Sequence, residues 1–539
     1  MSSSKKINRF IPEDGFAGLK QNFTKDALSG FLVFLLAMPL SLGIAKASNF
    51  PMIFGLVTAI IGGVVVSFFM GSRLSIKGPA AGLIVIASGS VTAMGDGEAG
   101  WHLALGAIVV AGILQIIFGI LKAGKLADFF PSAAIHGMLA AIGIIIMAKQ
   151  LHLLLGINPA ELKGKAPLEL LAMLPSSIMH ENAHLTEIGI ACLAILVLMS
   201  YVKHEKLKKI PAPLVVLAVS IPLGLILHIK TDGAIANFAL VKIGSISDAF
   251  KNGFVNVDFS GLMTHTSEFI QFVILYALIG SIESLLTAKA VDGMDQFKRK
   301  TDFDKDLIGV GIGNTLCGII GGLPMISEVA RSSANVSNGA RTRWANFFHG
   351  LFLLLAVLFA VPFIEMIPNV ALAAMLVFVG FRLAHPRQFI HTLHIGRDQL
   401  LVFSVTILVT ISTDLLLGVG SGIVLELVIN LLNGARVKNL FKSQVTVSQK
   451  EGIYTVLVKE DLIFSNLLGF KKQFATIPAA ETVRIDFSEA TIVDHTCIVT
   501  INTLVEDYKD QGGTITIVGF DHHKQLSKDP TSTRIHKIA

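Results

Sequence analysis

The chain has 539 residues, of which 53% are hydrophobic and 15% charged, so it is too apolar for an ordinary soluble globular protein. Its formal net charge is +6, and basic loops facing anionic lipid account for that excess, so a nucleic-acid partner is not expected. The three cysteines are scattered and lack the spacing of metal ligands, so neither a disulfide framework nor a zinc site is predicted.

The chain opens with a polar segment of mixed charge, residues 1–25, which we interpret as a cytoplasmic leader. No small-residue cleavage site precedes the first apolar run, so a secretory signal is not expected. The apolar runs that follow cover 31–45, 52–69, 103–121, 188–199, 214–227, 269–286, 351–361 and 400–411. Together with shorter runs broken by Gly and Pro, they predict an α-helical polytopic membrane protein with about fourteen spans in residues 26–436.

The first predicted span contains a proline, Pro39, followed closely by Ser41. Proline inside a membrane helix frees a carbonyl one turn earlier and commonly marks a kink. Such a kink would either place Ser41 at a binding site or serve the packing of the helix alone.

Two prolines, Pro79 and Pro324, head short segments that interrupt the helical pattern. Because proline fits the first turn of a helix, each segment is predicted to begin a half-helix inside the bilayer. Such a helix start presents unpaired N–H groups and about half a positive charge. The segments fall third and tenth among the spans, so two inverted halves of seven spans would bring them together near the midplane. This arrangement predicts an anion site.

Basic residues concentrate in the loops after the even-numbered spans. They are Arg73, Lys77, Lys122, Lys125, Lys203, Lys206, Lys208, Lys209, Lys298, Arg299, Lys300, Arg341, Arg343, Arg382, Arg387 and Arg397. By the positive-inside tendency, both termini are predicted to lie in the cytoplasm, at the cell (inner) membrane. Two longer polar loops, between residues 156 and 187 and between 229 and 268, would lie outside.

A carboxyl group, Glu283, interrupts the eighth predicted span, and Thr287 lies one turn later on the same face. An intramembrane carboxyl is expected to be functional, because burying its charge costs several kcal/mol. The pair would hold a cation such as Na⁺, or Glu283 would take up a proton; alternatively, Glu283 would only brace neighbouring helix ends. Asp292, farther along, is expected to be structural.

The second half-helix continues with the polar residues Ser327, Glu328 and Arg331. Glu328 and Arg331 are three positions apart, so they would share a helical face and could pair. Arg331 could instead offer its planar guanidinium to an oxyanion, or extend to the cytoplasmic surface. His136 and Asp414 are further intramembrane candidates, which we expect to satisfy neighbouring helices.

The composition changes near Val437, and from Gln444 onward the sequence has the character of a soluble domain. Strand-like runs cover 453–458, 482–487 and 514–518, and an amphipathic helix is predicted at about 496–508. Strands alternating with helices predict a small α/β domain within residues 437–539.

Several motifs, in this order along the chain, resemble the SulP family of anion transporters, which holds bacterial sulfate and bicarbonate permeases. They are Asp26-Ala27-Leu28-Ser29-Gly30 with Met38-Pro39-Leu40-Ser41-Leu42-Gly43, Ile76-Lys77-Gly78-Pro79, Glu283-Ser284-Leu285-Leu286-Thr287, Gly311-Ile312-Gly313-Asn314, Gly321-Gly322-Leu323-Pro324 and Gly339-Ala340-Arg341-Thr342. The C-terminal segment, with Asp486-Phe487-Ser488, Val493-Asp494-His495-Thr496 and Gly512-Gly513, resembles the STAS domain that ends most members.

The resemblance implies fourteen spans in a seven-plus-seven inverted repeat, with a core and a gate domain, in a protein that is typically a homodimer. The anion would sit between the half-helices of spans three and ten, while the core moves against the gate as an elevator. The implied substrate-binding residues are Pro79, Ala80, Ala81, Met325, Ile326 and Ser327, with Arg331 and Ser41 as further candidates.

The resemblance also concerns the co-ion and the substrate. Glu283 and Thr287 match the positions at which sodium-coupled bicarbonate members hold the cation, usually with Asp, whereas Glu resembles members associated with proton coupling. The run from Met325 to Glu328 replaces the small residues of many members, which leaves the exact anion open.

Within the STAS-like segment, Thr496 falls where anti-sigma antagonists are phosphorylated. The flanking His495 and Cys497 depart from that motif, so phosphorylation is not predicted. A cytoplasmic partner or a nucleotide remains a hypothesis for this domain.

The sequence therefore predicts a secondary active transporter of a small inorganic anion, bicarbonate or sulfate, coupled to Na⁺ or H⁺. The alternatives are an uncoupled chloride or anion exchanger or channel, a dicarboxylate transporter, and a nucleobase permease, which the STAS-like segment argues against. Enzymatic activity is not expected, since the chain has no P-loop and no Ser/His/Asp order or metal cluster stands out. No cofactor is predicted besides Na⁺ as a coupling ion.

Overall fold

The computed structural model describes residues 11–124, 130–162, 165–202, 210–230, 235, 237–243, 257–297, 299–478, 480–510 and 512–536. Several predicted features lie outside these ranges, namely residues 1–10 of the leader and the loop lysines Lys125, Lys203, Lys206, Lys208, Lys209 and Lys298.

Apolar helices form most of the described chain before residue 436, as the sequence predicts. In chain order they are α1 Gly15–Ala47, α2 Met52–Ile60, α3 Ile84–Ala93, α4 Gly97–Ile120, α5 Ser132–Leu154, α6 Pro167–Met179, α7 Ala183–Tyr201, α8 Ala212–Ile226, α9 Thr266–Met294, α10 Phe303–Ile320, α11 Val329–Ser337, α12 Trp344–Phe359, α13 Asn369–Leu383, α14 Pro386–Ile395, α15 Arg397–Ser412 and α16 Leu415–Leu432. Seven helices of the described residues are long and apolar enough to cross a membrane, and shorter apolar helices accompany them.

Two local predictions differ from the structure. Helix α1 begins at Gly15, well before the predicted apolar run at 31–45, and continues through Pro39 to Ala47. The segment between residues 156 and 187, predicted as a loop, contains α6, which starts with Pro167 in its first turn. A proline at that position needs no hydrogen bond for its nitrogen, so it favours a helix start.

Small residues let neighbouring helices approach closely. A β-carbon added to Gly112 of α4 would lie 2.9 Å from the carbonyl oxygen of Gly311 in α10. A β-carbon on Gly63, in the π turn that follows α2, would lie 2.4 Å from the Cα of Gly350 in α12. Such backbone contact stabilises helix pairs in a membrane, because the hydrophobic effect does not favour their association when lipid surrounds them.

Two three-residue strands, β1 Lys77–Pro79 and β2 Met325–Ser327, take the place of the predicted proline-headed helix starts. They pair antiparallel, with Gly78 opposite Ile326 at the centre. The two proline segments therefore meet, as the sequence predicts. Antiparallel pairing of corresponding segments fits inverted halves, since a two-fold axis in the membrane plane reverses the chain direction.

Side chains from neighbouring helices satisfy the backbone of this strand pair. The N–H of Lys77 donates to Oδ1 of Asn346 on α12 at 3.2 Å. Asn314 of α10 bonds both backbone groups of Met325, the N–H at 2.6 Å and the carbonyl oxygen at 3.1 Å. Non-helical backbone between apolar helices is tolerated only with such partners, so these two asparagines make the strand pair possible.

The described residues divide into two compact units. The first comprises Met1–Gly124 and Gly143–Arg382 and contains the strand pair. The second comprises Lys125–Ile142 and Leu383–Ala539, that is, the first half of α5, helices α14 to α16 and the C-terminal domain.

The C-terminal domain is a mixed sheet with two helices, which confirms the predicted α/β class. Its strands and helices are β3 Gln444–Lys450, β4 Ile453–Leu462, α17 Leu467–Phe474, β5 Thr482–Val493, α18 His495–Asp510, β6 Thr514–Val518, β7 His523–Gln525 and β8 Arg534–His536. The strand order is β3-β4-β5-β8-β7, and β6 also pairs with β5. Strands β4, β5 and β6 run parallel around a core that includes Val456, Ile485 and Phe487.

Asp494 fixes the junction between β5 and α18, and its replacement should loosen this end of the domain. Its carboxylate accepts the N–H of Cys497 at 2.8 Å and that of Phe464 at 2.6 Å. We expect Asp494→Ala to cost the domain about 2–4 kcal/mol, since a helix cap is lost and a buried N–H is left unpaired. Hydrogen exchange of the α18 amides in the full-length protein should accelerate. Exchange no faster than in Glu506→Gln, on an exposed position of the same helix, would contradict this role.

Candidate anion-binding site

Each strand of the pair leads into a short helix. Helix α3 begins at Ile84, after a turn formed by residues 81–83, and α11 begins at Val329. The half-helices therefore start later than predicted, because Pro79 and Met325 lie opposite each other in the strand pair. At the start of α3 the N–H of Ala81 bonds Oε1 of Glu328, and those of Leu83 and Ile84 bond the carbonyls of Ala80 and Ala81. The positive end of the helix dipole still lies at this turn.

Only part of the predicted contact set is accessible in this conformation. Pro79, Ala80, Met325, Ile326 and Ser327 are buried. Ala81 and Glu328 are half-buried, and Val329 is exposed. An anion that approaches the site therefore meets the turn after β1 and the start of α11 first.

Arg331 on α11 is a buried cation without a hydrogen-bond partner. The residue is 0% exposed, and none of its three side-chain nitrogens finds an acceptor among the described residues. Its guanidinium lies against Gly78, where an added β-carbon would be 2.4 Å from Nη1. The hydrogen-bonded pair with Glu328 that the spacing allowed is not formed, although the two groups are in electrostatic range. A buried positive charge without a partner is costly, so a nearby negative charge would stabilise this guanidinium.

A second buried cation, Lys77, was missed by the sequence reasoning, which counts it among the basic loop residues. Its Nζ donates to Oδ2 of Asp306 at 2.7 Å and to Oγ of Ser327 at 2.5 Å, and the lysine is fully buried. Because Asp306 neutralises this charge, Lys77 holds the strand pair together and adds little attraction for an anion. Its position directly before an intramembrane Gly-Pro was the feature of the sequence that could have indicated that Lys77 is buried.

Removing this lysine should destabilise the protein. We expect Lys77→Met to cost about 3–5 kcal/mol, because Asp306 would keep a buried charge without a partner. Thermal unfolding in detergent measures the loss. The double variant Lys77→Met/Asp306→Asn removes both charges and should regain much of the stability; a double variant no more stable than the single one would contradict the pairing.

Two carboxylates flank the turn between β1 and α3. Oε1 of Glu328 accepts the N–H of Ala81 at 3.0 Å. Glu283 of α9 lies against the next residue, since a β-carbon on Gly82 would be 2.3 Å from both of its carboxylate oxygens. Oε1 of Glu283 is buried and has no hydrogen-bond partner in the described structure. The structure thus brings Glu283 to the half-helix start, and it brings Glu328 there too.

The remaining predicted residues are placed as follows. Thr287 is buried one turn after Glu283 on α9. Ser41 is buried in α1, and its backbone carbonyl lies against Gly55 of α2, where an added β-carbon would be 2.1 Å from the oxygen. Its hydroxyl is buried and has no hydrogen-bond partner among the described residues.

Asp292 and Asp414 have structural partners. The Asp292 carboxylate accepts the N–H of Thr301 at 2.8 Å and its hydroxyl at 2.6 Å. Oδ1 of Asp414 accepts the N–H of Leu417 at 2.9 Å and so caps α16. Asp292 is therefore structural, as expected, whereas Asp414 caps its own helix instead of satisfying a neighbouring one.

The charges around the turn decide what the site can hold. Arg331 contributes one positive charge and each of the two helix starts about half a charge. With Glu283 and Glu328 both ionised, the total is close to zero, so an anion would gain little. One proton or one cation at the carboxylates leaves about one positive charge, which favours the binding of an anion.

A methyl group at position 78 would test the place of Arg331. In Gly78→Ala the new carbon would displace Nη1, which is the end of a flexible side chain, so stability should change by less than about 1 kcal/mol while anion affinity falls roughly tenfold. The concentration dependence of anion uptake measures the change. Gly293→Ala, in α9 with nothing within 4 Å of the added carbon, is the matched control; equal affinity in the two variants would contradict the assignment.

Comparison with known proteins identifies the relatives of the chain. The pattern of the sulfate permease family matches residues 23–406. YvdB of Bacillus subtilis (strain 168), named as a candidate sulfate transporter, is 27% identical over 425 residues, 76% of this chain and 73% of YvdB. The bicarbonate transporter BicA of Picosynechococcus sp. is 26% identical over 525 residues, 93% of this chain and 89% of BicA.

Solved structures share the fold. The transmembrane domain of a cyanobacterial bicarbonate transporter BicA matches with a TM-score of 0.62 at 23% identity, covering 75% of this chain and 98% of that one. The overall structure of SLC26A9 matches with a TM-score of 0.65 at 15% identity, covering 93% and 85%. The family match covers well over half of the sequence, and its members are membrane transporters and not enzymes. The chain belongs to the sulfate permease family.

Proposed function

We propose that this protein is a secondary active transporter of a small inorganic anion, with bicarbonate and sulfate as the leading substrates, coupled to Na⁺ or H⁺. The observation that carries the proposal is the fully buried guanidinium of Arg331, which has no hydrogen-bond partner in the described residues and lies in the first turn of α11, against Gly78 of β1. At low dielectric such a charge attracts an anion strongly.

The anion is held mainly by backbone N–H groups at the turn of residues 81–83 and at the start of α11. Among the predicted contacts Ala81 is half-buried, and its N–H bonds Glu328 in this conformation. The buried predicted contacts, Pro79, Ala80, Met325, Ile326 and Ser327, form the rigid support behind it. Arg331 acts through its charge, since the guanidinium is buried behind Gly78.

Coupling follows from the carboxylates. Glu283 lies against Gly82 at the anion position, and Thr287 follows on the same face of α9, so these two residues are the proposed site of Na⁺ or H⁺. Because the summed charge is near zero without the co-ion, an anion binds well only after the co-ion arrives. Neither ion then moves alone, which is the requirement for secondary transport.

Transport proceeds by elevator-type alternating access, with a core domain moving against a gate domain in a homodimer. The fold likeness to transporters supports this part of the proposal. Both termini lie in the cytoplasm and the protein in the cell (inner) membrane, since basic residues concentrate in alternate loops. The domain limits are 1–25 for the leader, 26–436 for the transport domain and 437–539 for the C-terminal domain.

The C-terminal domain is a STAS domain that senses a cytoplasmic partner or nucleotide. Within the second compact unit, hydrogen bonds join this domain to membrane helices. Oγ1 of Thr496 accepts the N–H of Ser132 in α5 at 3.1 Å, and the hydroxyl of Ser527 donates to the carbonyl of Ile395 in α14 at 2.7 Å. A ligand that shifts the sheet would thus act directly on α5 and α14.

Uptake into proteoliposomes tests the function. Radiolabelled bicarbonate, sulfate, chloride and fumarate are each supplied with and without a Na⁺ or pH gradient. We expect bicarbonate or sulfate to accumulate only when a gradient is present. Chloride movement without any gradient would indicate the uncoupled exchanger or channel, and accumulation of fumarate alone would indicate a dicarboxylate transporter.

A further inference from the structure

Glu328 occupies a place that the proposed function gives to the substrate. Its Oε1 accepts the N–H of Ala81 at 3.0 Å, in the turn that begins the first half-helix. A carboxylate bound to a backbone N–H at a helix start is held in the same way as an oxyanion. Glu328 is half-buried and its neighbour Val329 is 54% exposed, so this position is open to its surroundings.

Neither helix capping nor ion pairing accounts for this placement. Glu328 precedes α11, yet its side chain makes no bond to the first turn of that helix. The nitrogens of Arg331, one turn later, have no acceptor among the described residues. The carboxylate instead reaches from one half-helix to the other, across the position of the anion.

We propose that Glu328 is a tethered competitor of the substrate, whose carboxylate holds the Ala81 N–H until an anion replaces it. This inference rests on the proposed anion site and concerns how pH regulates the access of anion to it. Protonation of Glu328 removes its charge and frees the turn, so one proton taken up from solution makes room for one anion. The protein then resists anion binding at high pH and admits the anion at low pH.

The surrounding charges set the direction of this effect. Glu283 faces the same turn from α9 and opposes the ionised form of Glu328, whereas Arg331 on α11 favours it. His349 on α12 lies within electrostatic range of Arg331, and Lys77 is neutralised by Asp306. Among the described residues no positive group bonds the carboxylate, so a fall in pH releases it from Ala81 and the apparent affinity for anion rises.

Uptake of radiolabelled sulfate by the full-length protein in proteoliposomes tests the inference, because sulfate keeps its charge near neutral pH. Wild type, Glu328→Gln and Glu328→Ala are compared at mildly acidic and mildly alkaline pH, with Glu506→Gln on the exposed face of α18 as a control. Gln keeps the size of the side chain, so it remains informative if Ala disturbs folding. Radiolabelled bicarbonate is measured in parallel and compared only between variants at one pH.

At alkaline pH we expect both Glu328 variants to bind anion roughly tenfold more tightly than wild type. Glu328→Ala should bind more tightly than Glu328→Gln, because the Gln side chain can still accept the Ala81 N–H. At acidic pH the difference should nearly vanish. An affinity ratio that stays flat with pH, or variants that bind more weakly than wild type, would overturn the inference while leaving transport intact. If wild type and both variants take up neither anion at any pH, the proposed function itself fails, and this inference with it.

Discussion

Arg331→Met should abolish transport without weakening the fold. The guanidinium is buried and has no hydrogen-bond partner in the described residues, so an apolar side chain of similar length removes an uncompensated charge. An anion at about 6 Å from that charge, at an effective dielectric of about 20, gains about 3 kcal/mol. We therefore expect anion uptake to fall roughly a hundred-fold or more. Initial uptake rates in proteoliposomes and thermal unfolding in anion-free detergent solution measure the two effects.

Arg299→Met is the matched control for Arg331. Arg299 is also buried, but its Nε bonds Oδ2 of Asp295 at 2.7 Å, so its replacement leaves a carboxylate unpaired and should lower the melting temperature. Arg331→Met should melt at or above the wild-type temperature. Uptake near the wild-type rate in Arg331→Met would refute the role given to its charge.

The second large effect is expected for Glu283→Gln. The substitution keeps the shape of the side chain against Gly82 but removes its charge, so the site carries about one positive charge without a co-ion. Anion exchange between equal pools should persist, whereas accumulation driven by a Na⁺ or pH gradient should be lost completely. Counterflow and gradient-driven uptake, measured on the same vesicles, separate the two.

The control for this prediction is Glu506→Gln, which removes a carboxylate from an exposed position on α18 and should keep full gradient-driven accumulation. A Glu283→Gln protein that still accumulates anion with the wild-type dependence on Na⁺ and pH would eliminate Glu283 as the coupling residue.

Periodic and compositional signals explain what the sequence predicted correctly. The long apolar runs became helices, because only helices satisfy their own backbone in lipid. In the C-terminal domain the predicted strand at 514–518 coincides with β6, and the predicted helix at about 496–508 lies within α18. The strands β3, β7 and β8 were not predicted, since two of them are short and β3 is polar on its exposed face.

The site was only partly predictable. Proline at a helix start is a local rule, so it placed the interruptions correctly at Pro79 and Pro324. The strand pair depends on partners hundreds of residues away, such as Asn346 for the N–H of Lys77, and no local pattern reveals them. For the same reason Lys77 was interpreted as a surface lysine.

Glu328 illustrates the same limit. Its spacing of three from Arg331 suggested an ion pair, since helical neighbours are the partners that sequence reasoning can see. Its hydrogen-bond partner is Ala81, which the tertiary fold brings close. The sequence was therefore sufficient to predict the two half-helices. The contacts between them, such as the Ala81–Glu328 hydrogen bond, depend on the tertiary fold.

The central claim is that an anion binds where the two half-helices meet, beside Arg331. The most direct measurement is a cryo-electron microscopy map of the protein with saturating sulfate or bicarbonate, compared with an anion-free map. We predict density within hydrogen-bonding distance of the backbone N–H groups at Ala81 and at the start of α11, with the Glu328 carboxylate displaced. Density bound elsewhere, with the Ala81–Glu328 bond and the surroundings of Arg331 unchanged, would contradict the account.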